Sequence, residues 1–286
     1  MKLLVTGGTG FLGRRVAAHF KSLGWQVFAP GHGELDITDP AAVAAWFREN
    51  RPRAEIHTAA VADTGLCQKM PEWSRKINVD GAVNLALACR EVGAKLVMCS
   101  SDQVYFGSSL PGPHGETEAM TPANVYGCQK LAAEAECLAV LPETVCLRLS
   151  WMYARKSLPG EHGQFFATLT AALEDKSKPL AWPVYDRRGL TDVEYVVKNM
   201  PKALELPGGP WNFGSENEEN TYATVKAALE GAGLTAERLR PNLEAFAGNP
   251  RDISMDCGKL RQAGISFPST RDGLVFALEA WKEARR

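Results

Sequence analysis

At 286 residues, 45% of them hydrophobic, the chain is long enough to bury a sizeable core and too apolar to be disordered. Its 32 Lys and Arg nearly balance 33 Asp and Glu, and a net charge of -1 excludes the long-range field that holds nucleic acid or an anionic membrane. A small-molecule ligand is the expectation.

Residues 2–6 (KLLVT) form a short apolar run ended by glycines, and residues 11–23 follow with Phe11, Val16, Ala17 and Phe20 at helical spacing, which reads as strand, turn, helix. One basic residue precedes that run and the glycines stop it early, so it is expected to be neither a signal peptide nor a membrane span, and the protein is expected in the cytoplasm. The alternation continues through WQVFA (25–29), a helix opened by Asp39 as cap with Pro40 at its first position, and AEIHTAA (54–60). A helical stretch over 74–92, the strand KLVMCSS (95–101), a helix over 124–140 and the strand TVCLRLS (144–150) complete the first half. Near-continuous apolar strands separated by helices describe a parallel sheet covered on both faces, a doubly wound α/β domain over 1–150.

After Trp151 the pattern loosens. Residues 151–286 are expected to form a smaller mixed α/β substrate-binding region, some of whose segments return to the first sheet. Helices are predicted near 160–174, 192–204, 219–232 and 271–284, and short strands near 179–185 and 210–213. The seven cysteines are odd in number, scattered and never spaced as CxxC, which argues for reduced, mostly buried thiols and against a disulfide frame or a metal site.

The loop GGTGFLG puts Gly7, Gly10 and Gly13 between the first strand and the first helix. Glycines there permit a tight turn and close approach of a pyrophosphate, which sits on the free N–H groups of the helix N-terminus, as in a Rossmann-type dinucleotide site. A ribose with a free 2′-hydroxyl usually meets an acid at the end of the second strand. Here Ala29, Pro30, Gly31, His32 and Gly33 occupy that place, with no acid before Glu34 and Asp36. NADP(H) is therefore favoured and NAD(H) remains compatible; His32 and Arg14 are the 2′-phosphate candidates, with a plain loop role as the competing reading of His32. Asp36 could face the adenine edge together with the Ile37 backbone, or simply cap its own turn.

Tyr126 and Lys130, in NVYGCQK, stand four apart and share one helix face. They follow the polar end of the fourth strand, SSDQVY, where Ser101 and Asp102 occupy the carboxyl edge at which open α/β sheets gather ligand-binding groups. A free phenol has a pKa of about 10, and a nearby ammonium with a nicotinamide cation would bring it towards working pH.

The ordered segments GGTGFLG, ELDITD, RPRAEIHTAA, INVDGAVNLA, SSDQVYFG, PANVYGCQKLAAE and LRLSWMY, with PRDISMDCGKL near the C-terminus, resemble the extended short-chain dehydrogenase/reductase superfamily, and within it the dTDP-4-dehydrorhamnose reductase family. That resemblance makes Ser101 the catalytic hydroxyl, Tyr126 the acid/base and Lys130 the residue holding the nicotinamide ribose. It puts Thr9, Phe11 and Leu12 with the three glycines of the loop at the cofactor, joined by Ala59, Ala60, Val61, Ser100 and Asn78, the last as support for the active-site backbone. Asp102 and Trp151 fall at substrate positions, with a buried core residue as the alternative for Trp151, while His57 reads as a core histidine.

Where the family has TxVDxAE, this chain has ADTGLCQK; where it has FDG, this chain has YFG; and in DRRGLTDVEYVV a Pro-Thr pair is replaced by Thr191 and Asp192. These departures fall on the expected substrate side and leave the sugar open. The implied activity is reduction of a nucleotide-linked 4-keto-6-deoxy sugar, in a protein that could form a homodimer. Two alternatives stand beside it. An epimerase or dehydratase is disfavoured because Gln103 follows Ser101-Asp102 where dehydratases carry Glu; a regulatory subunit resembling the methionine adenosyltransferase beta subunit would bind the nucleotide without turnover.

Overall fold

The computed structural model describes residues 1–161 and 165–285. Two compact units are present, the first made of Met1–Gly107, Ala119–Leu149 and Val197–Trp211, the second of Ser108–Glu118, Ser150–Val196 and Asn212–Arg286. Residues 197–211 thus belong with the N-terminal half, and 108–118 with the C-terminal half.

Along the first part of the chain run β1 (Lys2–Thr6), α1 (Gly13–Ser22), β2 (Gln26–Phe28), α2 (Pro40–Asn50), β3 (Ala54–His57), α3 (Thr64–Lys69), α4 (Pro71–Arg75), a π turn (Lys76–Asp80), α5 (Gly81–Val92), β4 (Lys95–Ser101), a 3-10 turn (Asp102–Tyr105), α6 (Val125–Val140) and β5 (Val145–Leu149). After them come β6 (Trp151–Tyr153), α7 (Phe165–Glu174), β7 (Ala181–Pro183), β8 (Asp186–Arg187), β9 (Leu190–Asp192), α8 (Val193–Ala203), β10 (Gly209–Phe213), α9 (Thr221–Gly231), β11 (Arg240–Asn242), β12 (Arg251–Asp252), α10 (Gly258–Gln262) and α11 (Thr270–Glu283). The start of the helix predicted over 160–174 includes residues 162–164, which lie outside the described residues.

Six strands form the main sheet in the order β10-β5-β4-β3-β1-β2, and the pairings from β2 through β5 are parallel. The chain therefore leaves β1 for β2 on one side and crosses to β3 on the other, which puts a topological switch point at the carboxyl ends of β1 and β3. Leu4, Val43, Phe47, Leu85, Leu96 and Cys137 belong to the core cluster that glues helices to this sheet. Local chemistry sets the ends of the elements. Asp39 accepts from Ala41 N and Ala42 N with Pro40 at the first position of α2, as predicted, and Asn124 accepts from Gly127 N at 2.7 Å to start α6. The stretch predicted as one helix over 74–92 is instead α4, a π turn and α5: Pro71 opens α4 after a non-helical Met70, and the π turn inserts one residue into the helical ladder.

The second unit has its own core around Tyr153, Phe165, Phe166, Leu229 and Leu274, and its strands pair two by two, β11 with β7, β12 with β8 and β6 with β9.

Inside the sheet lies an unusual acid. Register places Leu4, Glu55 and Leu96 side by side, so Glu55 sits fully buried among apolar neighbours. Thr6 donates to its Oε1 at 2.9 Å, Thr6 Oγ1 lies 2.7 Å from His57 Nδ1, and Oε2 has no partner. Burial pushes the Glu55 carboxyl up to about 8 against the opposing Thr6 bond, while burial first and the Lys130 charge second push His57 down to about 3. Both groups are neutral at physiological pH, and the His57 expectation of a core role agrees with its burial. Because the Glu55 pKa is raised on folding, its contribution is fully present below about 4.5 and is lost as pH rises towards 8. At about 1.4 kcal/mol per unit, wild type loses on the order of 3 kcal/mol between pH 4.5 and 7 through this group. Urea titrations should therefore show Glu55→Gln, the neutral isostere, gaining on wild type across that interval; parallel pH profiles would contradict the buried neutral acid.

Candidate active site

The glycine loop adopts its turn for a steric reason. Gly7 has φ +71, and a Cβ on Gly13 would fall 2.2 Å from the Gly7 carbonyl oxygen, so only the bare backbone lets α1 begin so close under β1. Above this turn opens a cavity of about 570 Å³, a size that suits a small ligand. The ends of β1, β2 and β3 contribute Thr6, Gly7, Thr9 and Gly10, then Pro30 and His32, then Thr58, Ala59, Ala60 and Val61. Asp36 and Ile37 line it as well, and so do three side chains that the motif reading did not single out, Trp73, Lys76 and Ile77. Phe11, Leu12 and Arg14 are not among its lining residues; Leu12 is buried under the loop, and the Phe11 ring carries the Arg15 guanidinium at 4.6 Å.

Asp36 does cap its own turn: Oδ1 accepts from Thr38 N at 2.9 Å and from Thr38 Oγ1 at 2.8 Å, which lowers its pKa. It lines the cavity at the same time, so both readings of its position describe one carboxylate. Asn78 braces the wall from behind. Its Oδ1 accepts from Val61 N at 2.8 Å, and its Nδ2 donates to Val61 O at 3.1 Å and to Gln129 Oε1 at 2.8 Å, fixing the backbone that leaves β3.

At the end of β4 the structure brings Ser101, Asp102, Tyr126 and Lys130 together. Ser101 Oγ accepts from Gln103 N and donates to Asp102 Oδ1, both at 3.2 Å, so the hydroxyl caps the 3-10 turn that carries Asp102. Gly127 lets α6 touch that turn: a Cβ there would lie 2.4 Å from the Gln103 carbonyl oxygen. Asn124 Nδ2 adds a bond to Gln103 Oε1 at 2.9 Å. Tyr126, one residue before that contact and 8% exposed, is thereby held near the Ser101 hydroxyl. One turn further, Lys130 Nζ lies 5.7 Å from the Tyr126 ring centre and donates to the Cys99 carbonyl at 2.8 Å.

Burial dominates the electrostatics of the phenol. Burial, with the Asp102 carboxylate second, pushes the Tyr126 pKa up against the lowering influence of the Ser101 hydroxyl, and burial pulls Lys130 down. The chain by itself therefore holds the phenol protonated; the expected pull towards phenolate needs the nicotinamide cation beside the ammonium. Desolvation outweighs the cation because both groups are buried together.

Ser100 points the other way. Its hydroxyl donates to Glu134 Oε1 at 2.5 Å, and Glu134 receives Arg148 through Nε and, at 2.7 Å, Nη2. Arg148 Nη1 also donates to Tyr105 Oη at 2.9 Å. This buried network ties β4, β5, α6 and the 3-10 turn together directly behind Ser101. Trp151 lies in the second unit, half-buried, with Phe165 edge-on at 5.5 Å and the Arg188 guanidinium over its ring at 5.1 Å. Six of the seven cysteines are buried and Cys128 is exposed; none is paired. Among the described residues no His/Cys/Asp/Glu cluster could hold a metal ion, and no helix is long and apolar enough to cross a membrane.

The family model described as the RmlD substrate binding domain matches residues 1–282. A dTDP-4-dehydrorhamnose reductase of Streptomyces griseus is 40% identical over 275 residues, covering 92% of this chain and 88% of that protein. Methionine adenosyltransferase 2 subunit beta of Xenopus tropicalis is 28% identical over 282 residues, covering 92% and 83%. Among solved structures, a dTDP-4-dehydrorhamnose reductase from Bacillus anthracis in complex with NADP superposes with a TM-score of 0.83 at 24% identity, covering 96% of this chain and 97% of that one, a likeness of fold.

Proposed function

The chain belongs to the RmlD substrate binding domain family, and from that membership and the geometry at β4 and α6 we propose that it is an NADPH-dependent reductase of a nucleotide-linked 4-keto-6-deoxy sugar, dTDP-4-dehydrorhamnose or a close relative. The observation that carries the reading is the convergence of Ser101, Tyr126 and Lys130 beyond a glycine-cradled cavity.

The residues present fit a dinucleotide. Gly7 and Gly10 line the cavity with bare backbone, the packing at Gly13 lets α1 begin close under it, no acid from the end of β2 lines the cavity before Asp36, and His32 does line it, which suits a 2′-phosphate and favours NADP(H) over NAD(H). When bound, the reduced nicotinamide supplies the hydride. Tyr126 then gives its Oη proton to the oxygen that was the ketone, a task for which a phenol held protonated by burial is already prepared. Ser101 hydrogen-bonds the reacting oxygen, Lys130, anchored on the Cys99 carbonyl, orients the ribose, and the phenolate left on Tyr126 takes its proton back from solvent once product leaves. Asp102 and Trp151 are assigned to the sugar nucleotide, and the second unit to its binding. The same reading carries a cytoplasmic location, in keeping with seven unpaired cysteines, and a homodimer.

Adding enzymatically prepared dTDP-4-keto-6-deoxy sugar to protein and NADPH should remove the absorbance of the reduced cofactor catalytically. A protein that binds NADPH yet turns over no keto sugar would instead favour the regulatory-subunit reading, which rests on the similarity to the methionine adenosyltransferase beta subunits.

A further inference from the structure

One wall of the cavity carries chemistry that the reductase motif leaves unused. The π turn over Lys76–Asp80, preceded by Trp73, stands beside the Asp36–Ile37 segment: a Cβ on Gly81 would lie 2.8 Å from Ile37 Cδ1, and Asn84 Nδ2 donates to the Ile37 carbonyl at 2.9 Å. Inserting a π turn shifts the helix face by one residue, so Asn78 turns inward to Val61 while Lys76 and Ile77 reach the cavity. Trp73 lines the same cavity and keeps 42% of its surface exposed, a large aromatic plane left open. Lys76 is exposed, and among the described residues its ammonium has no hydrogen bond or ion pair.

The glycine loop and the Asp36–Ile37 turn line the same cavity, and a dinucleotide with its pyrophosphate on the loop would direct its adenosine to the residues that follow β2. A purine offers that turn three things: a flat aromatic face, one exocyclic amine that donates, and ring nitrogens that accept. Asp36 supplies an acceptor. The face and the ring nitrogens need an aromatic plane and a donor, which are what Trp73 and Lys76 present.

We propose that Trp73 and Lys76 are specificity-determining residues for the cofactor's adenine, Trp73 by stacking on the base and Lys76 by donating to a ring nitrogen. The assignment rests on the dinucleotide reading of the cavity and extends it to the base. Truncating an aromatic side chain on which a base stacks commonly weakens binding by roughly 5- to 150-fold, and loss of one exposed hydrogen-bond donor weakens it less.

Calorimetric titration of the full chain with NADP+, NAD+ and ADP-ribose tests it, since all three carry adenine, one alone carries the 2′-phosphate, and one lacks nicotinamide. Trp73→Ala is expected to weaken all three by a similar factor, on the order of 10-fold. Trp73→Phe should keep most of the affinity, and Lys76→Gln should weaken all three by a smaller common factor. Melting temperatures of the variants should stay at the wild-type value because Trp73 and Lys76 are exposed. Loss confined to NADP+ would assign the wall to the phosphate and overturn the proposal, as would unchanged affinities in Trp73→Ala. Wild type that binds none of the three would overturn the dinucleotide reading itself, an outcome distinct from either.

Discussion

Tyr126→Phe is expected to lower turnover of the keto sugar by about 10²- to 10⁴-fold, the range lost when a positioned proton donor is removed. The ring is buried to 8% exposure and fixed by the approach of Gly127 to Gln103, so phenylalanine fills the same space and only the hydroxyl is lost. Dinucleotide affinity should change by no more than a few-fold, because the cavity above the glycine loop does not include this side chain. The pH dependence follows from the direction of the shift. With the phenol pushed up by burial and by Asp102, it remains protonated through neutral pH, and reduction should show no loss on its account until strongly alkaline solution. Steady-state kinetics of both proteins across pH check this; a variant within 10-fold of wild type would remove Tyr126 from proton transfer.

Arg148→Met should cost about 3–5 kcal/mol of stability, the usual penalty for leaving one partner of a buried ion pair alone. Arg148 and Glu134 are almost fully buried, and the pair is satisfied on every side: Glu134 accepts from Ser100 and from two Arg148 nitrogens, and Tyr105 accepts from the third. Removing the guanidinium strands a carboxylate behind the catalytic strand. The double variant Arg148→Met, Glu134→Leu should recover a large part of the loss, because replacing a buried pair by apolar groups of similar size is often nearly neutral. Urea unfolding of the three variants measures the effect; a single variant within 1 kcal/mol of wild type would show that the network contributes little to holding β4 against α6.

Much of this was legible in the chain, for reasons that differ from residue to residue. The sheet was readable because its strands are buried runs of β-branched and aliphatic residues between amphipathic helices, and the glycine loop because close backbone approach admits no other residue type. Tyr126 and Lys130 were readable because a four-residue spacing survives on any helix. Trp73 and Lys76 were not, since their arrival at the cavity depends on a π turn for which no side-chain pattern exists. Glu55 was missed for a related reason: an acid in an apolar strand looks like an edge position until the register places Leu4 and Leu96 on either side of it. The depth at which Lys130 and Tyr126 are jointly buried, which sets the phenol's pKa in the chain alone, is a property of packing and has no sequence pattern.

The most direct measurement is isotope transfer. NADPH carrying deuterium at both nicotinamide C4 positions is incubated with the protein and the dTDP-linked 4-keto-6-deoxy sugar, and the product sugar is examined by mass spectrometry and proton NMR. One deuteron at sugar C4 per NADPH oxidised, absent with Tyr126→Phe over the same time, is the predicted result. Recovery of the sugar with no deuterium while NADPH remains bound to the protein would contradict the reductase and leave a nucleotide-binding subunit in its place.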